Sequence, residues 1–395
     1  MSEWANWDWD TKEKLVANIN DWEKKFSQVR ELVVSDDGEK IAAPVRTEDK
    51  RFTTCVNGDA WEETFERVYS LKFTPDSRLI SLALRDYEWS VNVDHEIWEE
   101  KFDYVWNLTL SPDGKSIAVN TRTGEMTSGV CLNGKAWENT FPEARDLALS
   151  PDGKRTASHV QVSPRKELDI LAFSNKNWTV AVDGTAWDAR SEYTIVVDDV
   201  LWEQRFGAAW EPVFKPGSTD VVAPVQTPSG WTLAMNGKPI WGNFSQVWKQ
   251  KYSPGGQKLA AVVAVNVGKW TMAVDGSPWK AIFNQWLSVP VFSPDGKKVA
   301  AAIKHNNSWT VAVDGSVWQD TYDNVWDPVF SPGGDRIVVK AEKNGQYFVV
   351  VNGKVGKQGY ETLWDPVFSP DGKKLLVRYM NNGRYYRRVV MVSDI

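Results

Sequence analysis

Short runs of β-branched and aromatic residues alternate with turn clusters along most of the chain. The segment VWDPVFSPGGDRIVVKAE (residues 325–342) holds two apolar runs around a Pro-Gly-Gly turn. The segment GQYFVVVNGKVGKQGY (345–360) holds a β-rich run, an Asn-Gly turn and a return. Proline presets φ at the first turn position, and glycine accepts φ > 0 after it. Asn-Gly and Asp-Gly between β-rich runs are strong hairpin signals, and they recur at 57–58, 133–134, 183–184, 236–237, 275–276 and 314–315. The pattern therefore predicts four short antiparallel strands per unit. A helical period is absent except in the first twenty residues.

The unit repeats. A Ser-Pro-Asp-Gly-like turn begins at Ser35, Thr74, Ser111, Ser150, Lys215, Ser253, Ser293, Ser331 and Ser369, with spacings of 39, 37, 39, 65, 38, 40, 38 and 38 residues. Four-stranded units of about 40 residues match the blades of a β-propeller, where stacking buries both faces of each sheet. The expected fold is all-β: a single propeller of eight or nine four-stranded blades. The long spacing holds an extra hairpin, NWTVAVDGTAWDA, ahead of EYTIVVDDVLWEQRF, and is read as an inserted hairpin near 165–192. The last unit supplies three strands and stops. LVANINDWEKKF (15–26) looks like the missing hairpin, so pairing of the N- and C-terminal segments is expected to close the ring. Lys373, Lys374, Arg378, Arg384, Arg387 and Arg388 at one end face Asp8, Asp10, Glu13, Asp21 and Glu23 at the other. Residues 1–14 form an acidic, aromatic segment ahead of a propeller over 15–395.

The chain contains 23 tryptophans, and most follow the repeat. One class comes just after the hairpin turn: Trp22, Trp61, Trp98, Trp137, Trp187, Trp202, Trp241, Trp279 and Trp318. A second opens the third strand: Trp89, Trp178, Trp231, Trp270 and Trp309. Both are expected to wedge between sheets. A third class enters the first strand: Trp106, Trp210, Trp248, Trp286, Trp326 and Trp364. Burial between blades competes here with a partial aromatic girdle on one face, flanked by Glu211, Asp327 and Asp365, as a partner-docking surface. Trp4, Trp7 and Trp9 lie outside the repeat, as a cap on the last blade or as a recognition strand.

Composition narrows the function. The net charge of −6 argues against a phosphate-binding surface for nucleic acid. Cys55 and Cys131 form no close pair, which excludes a thiolate metal cage and a disulfide framework. His95, His159 and His305 sit in three different units. No nucleophile elbow, P-loop or dinucleotide fingerprint occurs, so no catalytic, cofactor or metal site is expected. No apolar run is long enough to span a bilayer. The opening MSEWANWDWDTKEK carries no basic stretch followed by an apolar run. A cytoplasmic protein, peripheral on a membrane only through partners, is expected.

The motif running from Trp309, WTVAVDGSVWQDTYDNVWDPVFSPGGD, resembles the WD40-like repeat of TolB-type propellers and is echoed over nearly the whole chain. The tryptophan-rich repeats behind the opening MSEWANWDWDTKEK also resemble the tryptophan-rich TmcD subunits of the Tmc transmembrane redox complex of sulfate-reducing bacteria. That resemblance implies a cofactor-free accessory scaffold docked on an iron–sulfur subunit or a membrane cytochrome b subunit of an electron-transfer complex. The residues alone leave a carbohydrate- or peptide-binding propeller as the alternative, with the rim tryptophans as stacking platforms. A hydrolase or lyase would need one of the three histidines clustered with acids on one face.

Overall fold

The computed structural model describes residues 6–124, 127–150, 152–161 and 220–395, with short stretches between 178 and 218. Among these residues lie nine sheets of the expected four-strand order. They are blades I (residues 28–60), II (67–97), III (104–136), IV (143–186), V (208–239), VI (246–278), VII (286–317), VIII (324–355) and IX (362–391 with 13–18). The fold is a β-propeller. The chain divides into two compact units, one built on residues 15–191 with 383–385, the other on 4–14, 192–382 and 386–395.

Two turns recur through the blades. At the Asn-Gly and Asp-Gly hairpins between third and fourth strands both central residues have positive φ where they are described, as at Asp314 (47°) and Gly315 (81°). That is why Asn or Asp precedes Gly there. The Asn or Asp also works as a clip. Asp314 Oδ1 accepts the N–H of Val299 at 2.9 Å, and Asn352 Oδ1 accepts that of Ile337 at 2.9 Å. These carboxylates and amides hold strands rather than substrates.

The Ser-Pro-Asp-Gly turn joins first and second strands. Ser293 Oγ is buried, donates to Asp295 at 2.7 Å and accepts the N–H of Lys298 at 2.9 Å. The basic residue just before the second strand then reaches the next blade. Lys298 Nζ donates to Gly334 O at 3.2 Å, Arg336 Nη1 to Gly372 O at 2.9 Å, and Arg78 Nη2 to Gly114 O at 2.9 Å.

First strands come in two forms. In blades II, III and VI they are continuous but bulged, with Ser70, Asn107 and Lys249 at φ near 55°. In blades VII, VIII and IX they are broken in two by the buried Pro290, Pro328 and Pro366. Proline has no N–H to give the ladder.

Neighbouring blades share apolar seams. Met272 of blade VI packs with Ala301 and Ala312 of blade VII, and Val311 of blade VII with Val339 and Val350 of blade VIII. Where a described tryptophan follows the hairpin, it fills the same seam lower down. A Cβ on Gly315 would stand 3.3 Å from Trp279, and one on Gly276 3.3 Å from Trp241. Among the described residues the wedge role expected of this class and of the third-strand tryptophans holds; Trp187, Trp202 and the side chain of Trp178 lie outside them. Trp241, Trp279, Trp318, Trp231, Trp270 and Trp309 all pack against seam cores.

The two chain ends meet in blade IX, in sheet order 13–18, 384–391, 374–381, 362–363. The N–H of Val389 donates to Lys12 O at 2.9 Å, and that of Ile19 to Gly383 O at 2.8 Å. The expected charge pairing is present, with Arg388 3.7 Å from Glu13. Residues 15–26 differ from expectation. They do not form a hairpin: the strand Glu13–Asn18 gives way to the helix Ile19–Lys25. Nothing lies beyond this strand for a second one to complete, since it already fills the fourth place. The helix still delivers Trp22, 3% exposed, against Gly58. The hairpin expected near 165–192 falls mostly outside the described residues. Its described strands, Trp178–Val182 and Thr185–Ala186, are the third and fourth of blade IV. A separate two-stranded pair follows at Val196–Val197 and Val200–Leu201.

Candidate docking surface

The first-strand tryptophans do not stand alone. Four of them, Trp210, Trp248, Trp286 and Trp326, lie two strands from the aromatic residue that opens the third strand of their own blade and touch its ring. In blade VI, Trp248 pairs with Val262 and Trp270 with Ala264, residues two apart on the strand between. That register brings the indoles together across small side chains. Trp248 and Trp270 stack at 4.6 Å, and Trp210 and Trp231 at 5.6 Å with 13° between planes. Trp286 meets Trp309 edge-on at 5.1 Å, and Trp326 meets Tyr347 at 5.6 Å. Trp106, in the other unit, stacks on Tyr104 at 5.8 Å, and Tyr104 meets Trp89 at 5.7 Å.

Exposure separates the six. Trp210 is 55% and Trp286 43% exposed, while Trp106, Trp248, Trp326 and Trp364 are half-buried. Glu211, Asp327 and Asp365 are all exposed. Val289 (39%) adds apolar surface three residues beyond Trp286. Two lysines lie on the aromatic faces. Lys249 Nζ stands 4.0 Å from the ring centre of Trp286 and donates to Leu287 O at 2.7 Å. Lys340 Nζ stands 4.1 Å from the ring centre of Trp326 and 3.7 Å from Asp365. Burial pushes both ammonium groups below the ordinary lysine value, while the nearby Asp327 and Asp365 carboxylates act the other way. Sequence reading missed these lysines and the third-strand partners. The signal was present in the equal repeat of both tryptophan classes.

Trp4 lies outside the described residues. Trp7 and Trp9 are half-buried and stack on each other at 6.0 Å. The carbonyl of Trp9 accepts from Lys374 Nζ at 2.7 Å, and that of Asp8 from the buried Arg387. This segment is thus tied to blade IX, as a cap would be.

Other reactive side chains lie elsewhere among the described residues. Cys55 and Cys131 are buried, and burial pushes their thiols up to about 11 and about 12. Neither is a thiolate nucleophile near neutral pH. Among the described residues no three His, Cys, Asp or Glu side chains group as metal ligands. The side chain of His159 lies outside the described set. His305 meets Phe283 edge-on at 6.0 Å. His95 lies on Trp61, ring centres 4.3 Å apart, with Nδ1 3.4 Å from Glu63. They line a cavity of about 620 Å³ with Lys40, Asn57 and Asp59.

No protein family and no curated protein matches the sequence. Solved structures do. A eukaryotic initiation factor matches at 12% identity, covering 87% of this chain and 90% of its own, with a TM-score of 0.51. The Dos1 propeller matches at 11% identity over 96% and 94%, with a TM-score of 0.39. TolB from Acinetobacter baumannii matches at 12% over 73% and 77%, with a TM-score of 0.35. At such identities the first likeness is one of fold, and it bears on nothing else.

Proposed function

We propose that the protein is a non-catalytic docking scaffold that engages protein partners through the aromatic edge of its first strands. The carrying observation is the pair Trp210 and Trp286. Each presents more than two-fifths of its surface, although an indole of that size is normally withdrawn from water. Each is held edge-on or stacked by a second tryptophan, so little conformational freedom is lost on binding. Rigid aromatic anchors of this kind dominate protein interfaces.

The partner set follows the resemblance of the tryptophan-rich repeats: subunits of a membrane-associated electron-transfer complex, namely an iron–sulfur subunit and a membrane cytochrome b subunit. No helix of the described chain is long and apolar enough to cross a membrane, so attachment to a membrane runs through those partners. Purification of the tagged chain from its native membranes tests the reading. Recovery of haem- and iron–sulfur-bearing subunits, lost in a Trp210→Ala/Trp286→Ala variant, supports it. Recovery of neither, at low and at high salt, sinks the redox assignment.

A further inference from the structure

Three repeat positions bring one side chain each into the seams II–III, V–VI, VI–VII and VII–VIII. The residue three before the hairpin Asn or Asp points to the following blade. The residue two before it, and its partner on the second strand, point to the preceding one. The packing shows this four times over. Val91 meets Val119 and Cys131, and Leu233 meets Ala261 and Ala273. Met272 meets Ala301 and Ala312, and Val311 meets Val339 and Val350. All twelve residues are apolar.

The seam between blades I and II departs at all three positions. Thr54 stands where those four seams have Val, Leu or Met, and Ser81 and Asn92 where they have Ala, Val or Cys. Ser81 and Asn92 are direct cross-strand partners, so they share a face. Leu79 and Ala83, on either side of Ser81, pack with Ala42 and Phe52 of blade I. Phe52 is two residues from Thr54 on its strand, so Thr54 points back across the same seam. The three are 0%, 1% and 1% exposed. Thr54 Oγ1, Ser81 Oγ and both ends of the Asn92 amide have no hydrogen-bond partner within the protein.

A buried hydroxyl or amide without a partner is costly, about 1–3 kcal/mol each, and such groups in folded proteins are ordinarily satisfied. Four unmet polar atoms in one seam are too many to leave as a defect. Together they offer two hydroxyls, an amide donor and an amide carbonyl, which is the uncharged, mixed set that holds internal water. We propose that the seam between blades I and II is a built hydration site, in which buried water bridges Thr54, Ser81 and Asn92. The ligand is neutral, because no charged side chain belongs to the set. Water there replaces the apolar contact that joins those four seams.

Two measurements test this. A crystal structure at a resolution that shows ordered water should place at least one fully buried molecule within hydrogen-bond distance of Asn92 and of one hydroxyl. A dry seam, or direct pairing of Thr54 with the Asn92 amide, would overturn the proposal. Thermal unfolding of variants reads the same question independently. With bridging water, Asn92→Ala alone strips the water of partners and lowers the unfolding midpoint. The triple variant Thr54→Val/Ser81→Ala/Asn92→Ala recreates the apolar triplet of those four seams, expels the water and unfolds above the Asn92→Ala protein. If Asn92→Ala alone raises the midpoint, the amide was dry and unpaired, and the site does not exist.

Discussion

His95 takes the place of a glycine: its imidazole lies on the indole of Trp61 at 4.3 Å, where other blades put a Cβ-less residue against the corresponding ring. Gly134 faces Trp98 in this way, and Gly353 faces Trp318. The stack joins blades I and II at their surface, and Glu63 holds its edge. The imidazole covers one face of the indole, as stacked aromatic rings do. His95→Gly, which restores the pairing of the other blades, should leave the fold intact and uncover that face, so that acrylamide quenches the tryptophan emission more strongly. Unaltered quenching in the variant would show that the contact is not formed in solution.

The glycine–tryptophan contacts differ from glycines that only turn the chain. Gly315 (φ 81°) meets Trp279 at 3.3 Å, while Gly345 (φ 73°) has nothing within 4 Å of an added Cβ. Gly345→Ala should cost only the left-handed backbone penalty, about 1–2 kcal/mol. Gly315→Ala should cost more, because the indole must also shift. Chemical denaturation of the two variants gives the difference. Equal losses would mean that the indole is not packed as described.

Acid should weaken the blade turns. The carboxylates of Asp113, Asp152, Asp295 and Asp371 are held below the ordinary value, first by the hydroxyl of the serine two residues before and next by a backbone N–H. For Asp295 the folded value falls from 3.8 to about 2. A depressed carboxylate stabilises the fold above its unfolded value and loses that contribution as pH falls through the folded one. Stability should thus decline between pH 3.8 and about 2. Asp295→Asn with Asp371→Asn should flatten that decline in acid-unfolding curves.

The capped terminus is expected to be structural. Arg387 is 1% exposed, and its guanidinium donates to Asp8 O. Removing residues 1–12 takes away that acceptor and the Lys12–Val389 ladder bond. A hydrogen bond from a charged donor typically contributes about 1.5–3 kcal/mol. Unfolding midpoints of the full and shortened chains measure it, and Arg387→Met in the shortened chain should recover part of the loss.

The repeat was legible because its turns are written in residues with special backbone demands. Asn-Gly at 57–58 and Ser-Pro-Asp-Gly at 293–296 each name a turn and, by their spacing, a blade. The helix Ile19–Lys25 was not legible, because Trp22 keeps its register while the strand around it is replaced. A sequence comparison sees the indole and not the backbone carrying it. The docking surface was half legible. Spacing gathers Trp210 and Trp286 into one class with Trp248, but exposure depends on which ring a neighbour covers, and that is decided in three dimensions. The polar seam was in plain view as Thr54, Ser81 and Asn92, yet only the register shows that the three face one another.

The docking claim is tested most directly by the size of the particle that carries the protein in detergent extracts of its native membranes. Wild type should elute from gel filtration in one peak with haem- and iron–sulfur-bearing subunits, and the folded Trp210→Ala/Trp286→Ala chain should elute alone. If the wild-type chain itself elutes free of any partner, or if the double variant stays in the assembly, the exposed indoles are not the docking surface.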